Sequence, residues 1–332
     1  MKTILVIGGY GYIGRVLIED LTKNNYKVIN IDLRIYEDQN KDLNISTSEK
    51  IIHLDFRNTD KIKKYLALVD QVVILGGLVG EYITNKYLKL SESINVSGIV
   101  NLIDACELQK NIKNLVFIST CSNYGITKKN VLVKEDHELR PLSPYAKAKV
   151  KIEHHILSKK KSSLSKTILR FATAFGYSQR MRFDLTVNHF CYSMFKNNKI
   201  EVYDPDTWRP YCHVKDFSRI IIKVLNSDKD QIQNQVYNVG SDINNFTKAG
   251  IVNLIREKLP NSKVVLKKGG IDKRDYRVSF EKINKELNFS TVYSVSNGID
   301  EIIKILQSAE HNYLKEDALK FRGNFNILAN VK

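Results

Sequence analysis

Short apolar runs alternate along this chain with longer stretches in which apolar positions recur every three or four residues. The runs at 4–7, 27–31, 50–54, 71–75, 115–119 and 166–170 have the length and the Val/Ile/Leu content of buried strands, and 236–239 reads as a late addition. Between them, 15–21, 88–109 and 145–160 carry helical spacing. Strands separated by helices specify an α/β fold, a doubly wound parallel sheet covered on both faces. The alternation becomes irregular after Gly176, and 332 residues exceed what one core usually holds. The chain therefore divides into a sheet domain, 1–175 with 211–240, and a smaller C-terminal substrate lobe, 176–210 with 241–332.

The first strand runs straight into a glycine-rich turn. In KTILVIGGYGYIG, residues 2–14, Gly8, Gly11 and Gly14 fall in the order G-x-x-G-x-x-G. The first glycine suits a tight turn, the second lets the backbone approach a pyrophosphate, and the third lets the next helix pack on the strand. Such a turn can also serve packing alone. Here a strand precedes it, a helix follows with its amide-rich end toward the turn, and the second strand ends at Asp32, the spacing of a ribose-binding carboxylate. This is the arrangement of a Rossmann-type dinucleotide site.

Composition narrows the class further. The net charge of +16 suits polyphosphate partners, but the lysines are scattered, and the densest group, Lys159-Lys160-Lys161, falls where a helix ends and cations complement its dipole. No nucleic-acid partner is expected. The four cysteines, at 106, 121, 191 and 212, form neither a C-x-x-C pair nor a disulfide framework and read as reduced thiols. No signal peptide or membrane-length apolar run is visible and no metal site is indicated, so a soluble cytoplasmic protein is expected.

Tyr145 and Lys149 lie four apart in SPYAKAKVKIE, so on a helix they share a face. A cation held beside a phenol favours its ionised form and makes it a usable base near neutral pH. Ser119 and Thr120 close the fifth strand, at the edge where ligands of such sheets bind. Tyr-x-x-x-Lys alone is common and mostly structural. Behind a glycine fingerprint and a strand ending in Ser-Thr it reads as catalytic, with Thr120, Tyr145 and Lys149 as the reacting set.

At these residues the chain resembles the extended short-chain dehydrogenase/reductases, specifically the nucleotide-sugar epimerases and dehydratases. GGYGYIG, IDL, HLDFRN, VVILGG, the helix with Asn95-Val96, STCSNYG, YAKAK, LRFATAFG and RPYCHVKD occur in family order over nearly the whole length. The resemblance implies tightly held NAD. Gly8, Gly11, Tyr12, Ile13 and Gly14 would surround it at the turn, Asp32 and Leu33 at the adenosine ribose, and Asp55 and Phe56 beside the adenine. Leu75, Gly76 and Gly77 would pass under it, and Ser119, Tyr145 and Lys149 would complete the contacts, Lys149 at the nicotinamide ribose. The implied substrate is a nucleotide-diphosphate sugar, its C4 hydroxyl on Thr120 and Tyr145. Asn188, Arg209 and Arg277 match positions that hold phosphate or ribose, with Arg180 and Arg182 close by. Arginine's planar fork suits phosphate oxygens, though each of these could instead serve a surface ion pair. His213 and Asp216 look like residues that fix a turn and a helix cap. The resemblance also implies a homodimer, or a larger assembly, built on the helices 88–109 and 145–160.

Departures from the family narrow the chemistry. The 4,6-dehydratases carry Asp-Glu directly after the catalytic threonine, where this chain has Cys121 and Ser122. The 3,5-epimerases carry a cysteine two residues after the catalytic Ser/Thr and a His or Lys after the sixth strand; here Cys121 is one residue after Thr120 and the later region reads Gly176-Tyr177-Ser178. Neither elimination nor proton exchange at C3 or C5 is expected, and Cys121 reads as a small packing residue. What survives is NAD-dependent oxidation at C4. If the ketone is released the enzyme is a 4-dehydrogenase, of which oxidation of a GDP-heptose in bacterial surface-polysaccharide synthesis is a narrow form. If the hydride returns to the other face it is a 4-epimerase. A non-catalytic NAD-binding sensor or scaffold is the remote alternative, since such proteins usually lose the Tyr or the Lys. Asp32 would repel a 2′-phosphate and so favour NAD over NADP, unless Arg34 turned inward to pair with it.

Overall fold

The computed structural model describes residues 1–36, 46–128, 130–159, 162–308, 313–314, 317–325 and 327. Lys160 and Lys161 lie outside the described residues, while Lys159 pairs with Asp104 and Glu107. Seven strands form one sheet: β1 (Thr3–Ile7), β2 (Lys27–Asp32), β3 (Glu49–His53), β4 (Gln71–Ile74), β5 (Asn114–Thr120), β6 (Ser165–Phe171) and β7 (Gln235–Val239). Their order is β7-β6-β5-β4-β1-β2-β3, and every pairing is parallel. This is the doubly wound Rossmann order with a seventh strand beyond the sixth.

Strand alternation sends successive side chains to opposite faces. Ile4, Val6, Val116 and Leu169 pack with Phe217, Ile220 and Val224 of the helix Val214–Asn226 on one face. Leu5, Ile7, Leu115 and Phe117 pack with Ile62, Leu102 and Ile152 from three helices on the other. Burying each such aliphatic side chain contributes about 1.5–3 kcal/mol, and continuous apolar strands in the sequence follow from this double coverage.

Among the described residues three small sheets stand apart from the large one, the smallest pairing Arg277–Val278 with Leu132–Val133. One is three-stranded, with Trp208–His213 between Thr173–Phe175 and Asn245–Thr247. Another pairs Lys199–Tyr203 with Lys263–Lys267. His213 Nδ1 accepts the Lys215 amide at 3.2 Å and caps the helix Val214–Asn226, while the buried Asp216 carboxylate accepts the distant amides of Val292 and Tyr293 at 3.1 Å and so ties that helix to the segment before Val295.

The span 88–109 is not one regular helix. It runs as Leu88–Glu92, then a π-helical segment Ser93–Gly98, then Ile99–Glu107. The widened turn places the buried Asn95 so that Oδ1 accepts the Leu78 amide at 2.8 Å and Nδ2 donates to the Leu78 carbonyl at 2.9 Å. Such π insertions recur at functional sites. This one clamps the loop that follows β4.

Candidate active site

The C-terminal ends of β1, β2, β4, β5 and β6 form one wall of a cleft of about 1190 Å³, which is also lined by residues of 79–86, 180–186 and 271–276 with Arg209 and Lys248. At its floor the β1 turn is held too tightly for side chains. Gly8 has φ +86°, and a Cβ there would sit 2.6 Å from Gly76 Cα. A Cβ on Gly14 would sit 2.5 Å from the Gly8 carbonyl oxygen. Gly11, which lines the cleft, caps the helix Tyr12–Lys23 with no side-chain bond and no acidic residue in the first turn. The first-turn amides therefore face the cleft as an anion-binding end. The donor set fits the pyrophosphate of a dinucleotide.

The remaining cofactor candidates surround that turn. Asp32 accepts the Tyr10 amide at 2.9 Å and the Arg34 amide at 2.7 Å, which orients its carboxylate at the cleft. Burial raises its pKa while those amides and nearby arginines oppose the rise. The Arg34 guanidinium lies over the Tyr10 ring, 3.9 Å from its centre, and Arg34 is not among the cleft-lining residues. In this arrangement its guanidinium is engaged by the Tyr10 ring and hydroxyl. We expect the dissociation constant for NAD to lie at least about tenfold below that for NADP, as like charges meeting at Asp32 require; comparable constants contradict this role for Asp32. Leu33, Asp55, Phe56, Leu75, Gly76 and Gly77 also line the cleft. Arg57 forks onto the Asp55 carboxylate, and Gly77, at φ +146°, leaves room for Asn95 Oδ1, which a Cβ would approach to 2.6 Å. Tyr12 and Ile13 line the cleft, and the Tyr12 hydroxyl donates to the Gly176 carbonyl at 2.5 Å, bolting the turn to the smaller lobe.

The reacting set converges at the end of β5. Ser143 caps the helix Pro144–Ser158 by accepting the Ala146 amide at 3.2 Å, and Pro144 starts it, so Tyr145 and Lys149 face β5. Thr120, Tyr145 and Lys149 all line the cleft. Thr120 Oγ1 accepts the Ser122 amide at 3.1 Å, which leaves its proton for a ligand oxygen. Lys149 Nζ donates to the Ile118 carbonyl at 2.7 Å and lies 5.8 Å from the centre of the Tyr145 ring. Ser119 also lines the cleft, but its hydroxyl donates to the buried Glu153, so it supports the site from behind.

One electrostatic expectation needs correction. Burial pushes the Tyr145 phenol up to about 12, against the charges of Arg182 and Arg274. Burial also pulls Lys149 down to about 7, opposed by the Glu153 charge. The lysine is drawn toward neutrality by the same dry surroundings that protect the phenol, so it does not by itself lower the Tyr145 pKa.

Two of the predicted substrate residues are not at the cleft. Asn188 is fully buried: Oδ1 accepts the Gly176 amide at 3.1 Å and Nδ2 donates to the Arg182 carbonyl at 2.9 Å. It holds the lobe together. Arg277 lies over the Trp208 ring and reaches Asn130 instead. Arg180, Arg182 and Arg209 do line the cleft, and Arg182 is forked onto Asp184 at 3.0 and 2.6 Å. Among the cleft residues that the sequence did not point to are Glu81, Lys248 and Arg274. Arg274 stands three residues before Arg277, and the signal available was the Asp272-x-Arg274 pair, whose fork turns the guanidinium inward. The Cys121 thiol donates to the Arg170 carbonyl at 3.2 Å and is pushed upward by burial, consistent with a packing residue. Among the described residues no group of three or more His, Cys, Asp or Glu could hold a metal ion, and no helix is long and apolar enough to cross a membrane.

Comparison with known proteins places this geometry. Residues 4–240 match the family model of the NAD dependent epimerase/dehydratase family. The UDP-glucose 4-epimerase of Lactobacillus helveticus is 32% identical over 180 residues, 53% of this chain and 52% of that one. UDP-glucose 4-epimerase 2 of Arabidopsis thaliana is 26% identical over 341 residues, 92% of this chain and 94% of that one. The crystal structure of UDP-glucuronic acid 4-epimerase from Bacillus cereus, in complex with UDP-glucuronic acid and NAD, superposes with a TM-score of 0.82 at 26% identity, over 92% of this chain and 99% of that one.

Proposed function

Because this chain belongs to the NAD-dependent epimerase/dehydratase family, and is thereby an NAD-dependent enzyme of nucleotide sugars, we propose that its cleft oxidises C4 of a nucleotide-diphosphate sugar. The observation that carries this reading is the meeting of Thr120, Tyr145 and Lys149 at the cleft, next to positions 121 and 122 that supply neither acid nor base for elimination. The glycine turn, Asp32 and the Asp55-Phe56 loop would hold NAD, which supplies the hydride acceptor. Thr120 would donate a hydrogen bond to the substrate oxygen, keeping its proton, and so orient that oxygen. Tyr145 takes the C4 hydroxyl proton as that carbon is oxidised, and Lys149 holds the nicotinamide ribose.

The smaller lobe, 176–210 with 241–332, carries the nucleotide in this reading. Arg209 and Lys248 face the cleft there, and the lysine's pKa is lowered by burial and by Arg209 beside it. A diphosphate relieves that crowding of positive charge.

The relatives named above are 4-epimerases, which favours return of the hydride to the other face of a transient 4-keto sugar. A 4-dehydrogenase, with a GDP-heptose as its narrow case, would release the ketone and leave the cofactor reduced, so that its turnover requires exchange for fresh NAD or an external electron acceptor. NMR analysis of UDP-, GDP- and dTDP-sugars incubated with the NAD-loaded protein separates the two: a C4 epimer identifies the first, an accumulating 4-ketone the second, and a product altered elsewhere in the ring contradicts both.

A homodimer belongs to the same reading. Leu88 and Leu108 are exposed at either end of the span 88–108, and Lys151 pairs with Glu92 to join that span to the helix Pro144–Ser158. Sedimentation at micromolar concentration is expected to give a dimer; a monomer removes this claim.

A further inference from the structure

The arginines that act on the Tyr145 phenol are held by carboxylates, and that pairing bears on which sugar fits beside them. Arg274 forks onto Asp272 at 2.8 and 2.7 Å, donates to Ser122 Oγ at 2.7 Å and meets the Glu81 carboxylate at 2.9 Å. Asp272 is shared with Arg209 at 3.0 Å, and Arg182 is forked onto Asp184. Arg274 and Glu81 both act electrostatically on the Tyr145 phenol. Ser122, which Arg274 holds, is the residue whose amide fixes Thr120. The two guanidiniums that act on the Tyr145 phenol, Arg182 and Arg274, are therefore each already paired with carboxylates.

A hydroxyl fits such surroundings, because it can donate to Glu81 while accepting from Arg274. A carboxylate on the sugar can only accept. To reach Arg274 it must displace Glu81 or Asp272, leaving a carboxylate unpaired in a partly buried cleft.

We propose that Glu81 and Arg274 form a sugar subsite that selects uncharged pyranoses with free hydroxyls over uronates. This inference rests on the C4-oxidation reading and sets the chain apart from the Bacillus cereus neighbour, whose structure holds UDP-glucuronic acid.

Pairs that share a nucleotide test it, because the preference for the base cancels within each pair. UDP-glucose against UDP-glucuronate, and GDP-mannose against GDP-mannuronate, are compared on the NAD-loaded protein by calorimetric dissociation constant and by kcat/KM from C4 NMR. The neutral member is expected to be favoured by about tenfold or more in whichever pair is used. Glu81→Gln keeps an acceptor but removes the opposing charge, and is expected to bring that preference below about threefold, mainly through tighter uronate binding. Equal or better use of the uronate overturns the inference while leaving C4 oxidation intact, and an unchanged ratio in Glu81→Gln overturns the role of Glu81. Absence of binding and turnover with both pairs and with every UDP-, GDP- and dTDP-sugar of the NMR panel instead removes the proposed function, and this inference with it.

Discussion

Tyr145→Phe is expected to lower C4 oxidation by about two to four orders of magnitude, the usual consequence of losing a general base. The ring and its packing remain, so NAD binding is expected to stay within a few-fold of wild type, as roughly unchanged nonbonded contacts imply. The phenol's raised pKa, about 12, adds a second signature: turnover should rise with pH across the neutral range as more of the base form becomes available. Thr120→Val is expected to cost less, since Thr120 orients the oxygen without taking its proton. Turnover of Tyr145→Phe above about a tenth of wild type, outside the range for general-base loss, contradicts the assignment of Tyr145 as the base.

Arg170→Ala is expected to destabilise the fold by about 3–5 kcal/mol, because it strands a buried carboxylate. Arg170, in β6, donates to both oxygens of Glu153, with the shortest contact 2.7 Å, and also to the Tyr124 hydroxyl and the Glu135 carbonyl at 2.9 Å. Glu153 in turn receives Ser119 and Asn123. The side chains of Arg170 and Glu153 are 5% and 1% exposed, too little for water to replace a lost partner. Urea unfolding at pH 7 measures the cost, and a loss under about 1 kcal/mol, the range of exposed pairs, contradicts it. Replacing both partners together, Arg170→Met with Glu153→Leu, is expected to recover much of the stability, since well-packed apolar groups substitute for buried ion pairs. It should not recover turnover, because Ser119 behind the reacting set loses its partner.

The sequence made the central sheet legible to within a residue or so at each strand, because double coverage demands continuous apolar runs of strand length. The glycine turn was legible for a related reason: Gly8 and Gly14 answer to backbone atoms two or three ångströms away, and only one residue type fits. The π-helical segment was not. Nothing in the spacing of 88–109 shows the widened turn at Asn95, since its cause is a tertiary bond to Leu78. The arginines divided in the same way. Arg182 and Arg209 reach the cleft as expected, whereas Arg277 yields its place to Arg274, because the direction of a loop side chain is set by the carboxylate that catches it. Asn188 looked like a ligand residue but is committed at both ends of its amide to the Gly176 and Arg182 backbone. The pKa of Tyr145 was missed in sign because a Tyr-Lys spacing reports proximity and not the burial that outweighs it.

The most direct test of C4 oxidation uses UDP-, GDP- and dTDP-sugars deuterated at C4 and the NAD-loaded protein. Deuterium is predicted to pass from C4 of the accepted sugar to the nicotinamide, staying there if the ketone is released and returning to C4 of the epimer if it is reduced again, with a slower turnover than the unlabelled sugar and a rate about two to four orders of magnitude lower in Tyr145→Phe. A sugar that is converted with no isotope effect from deuterium at C4, and with solvent hydrogen appearing at C3 or C5, contradicts the account.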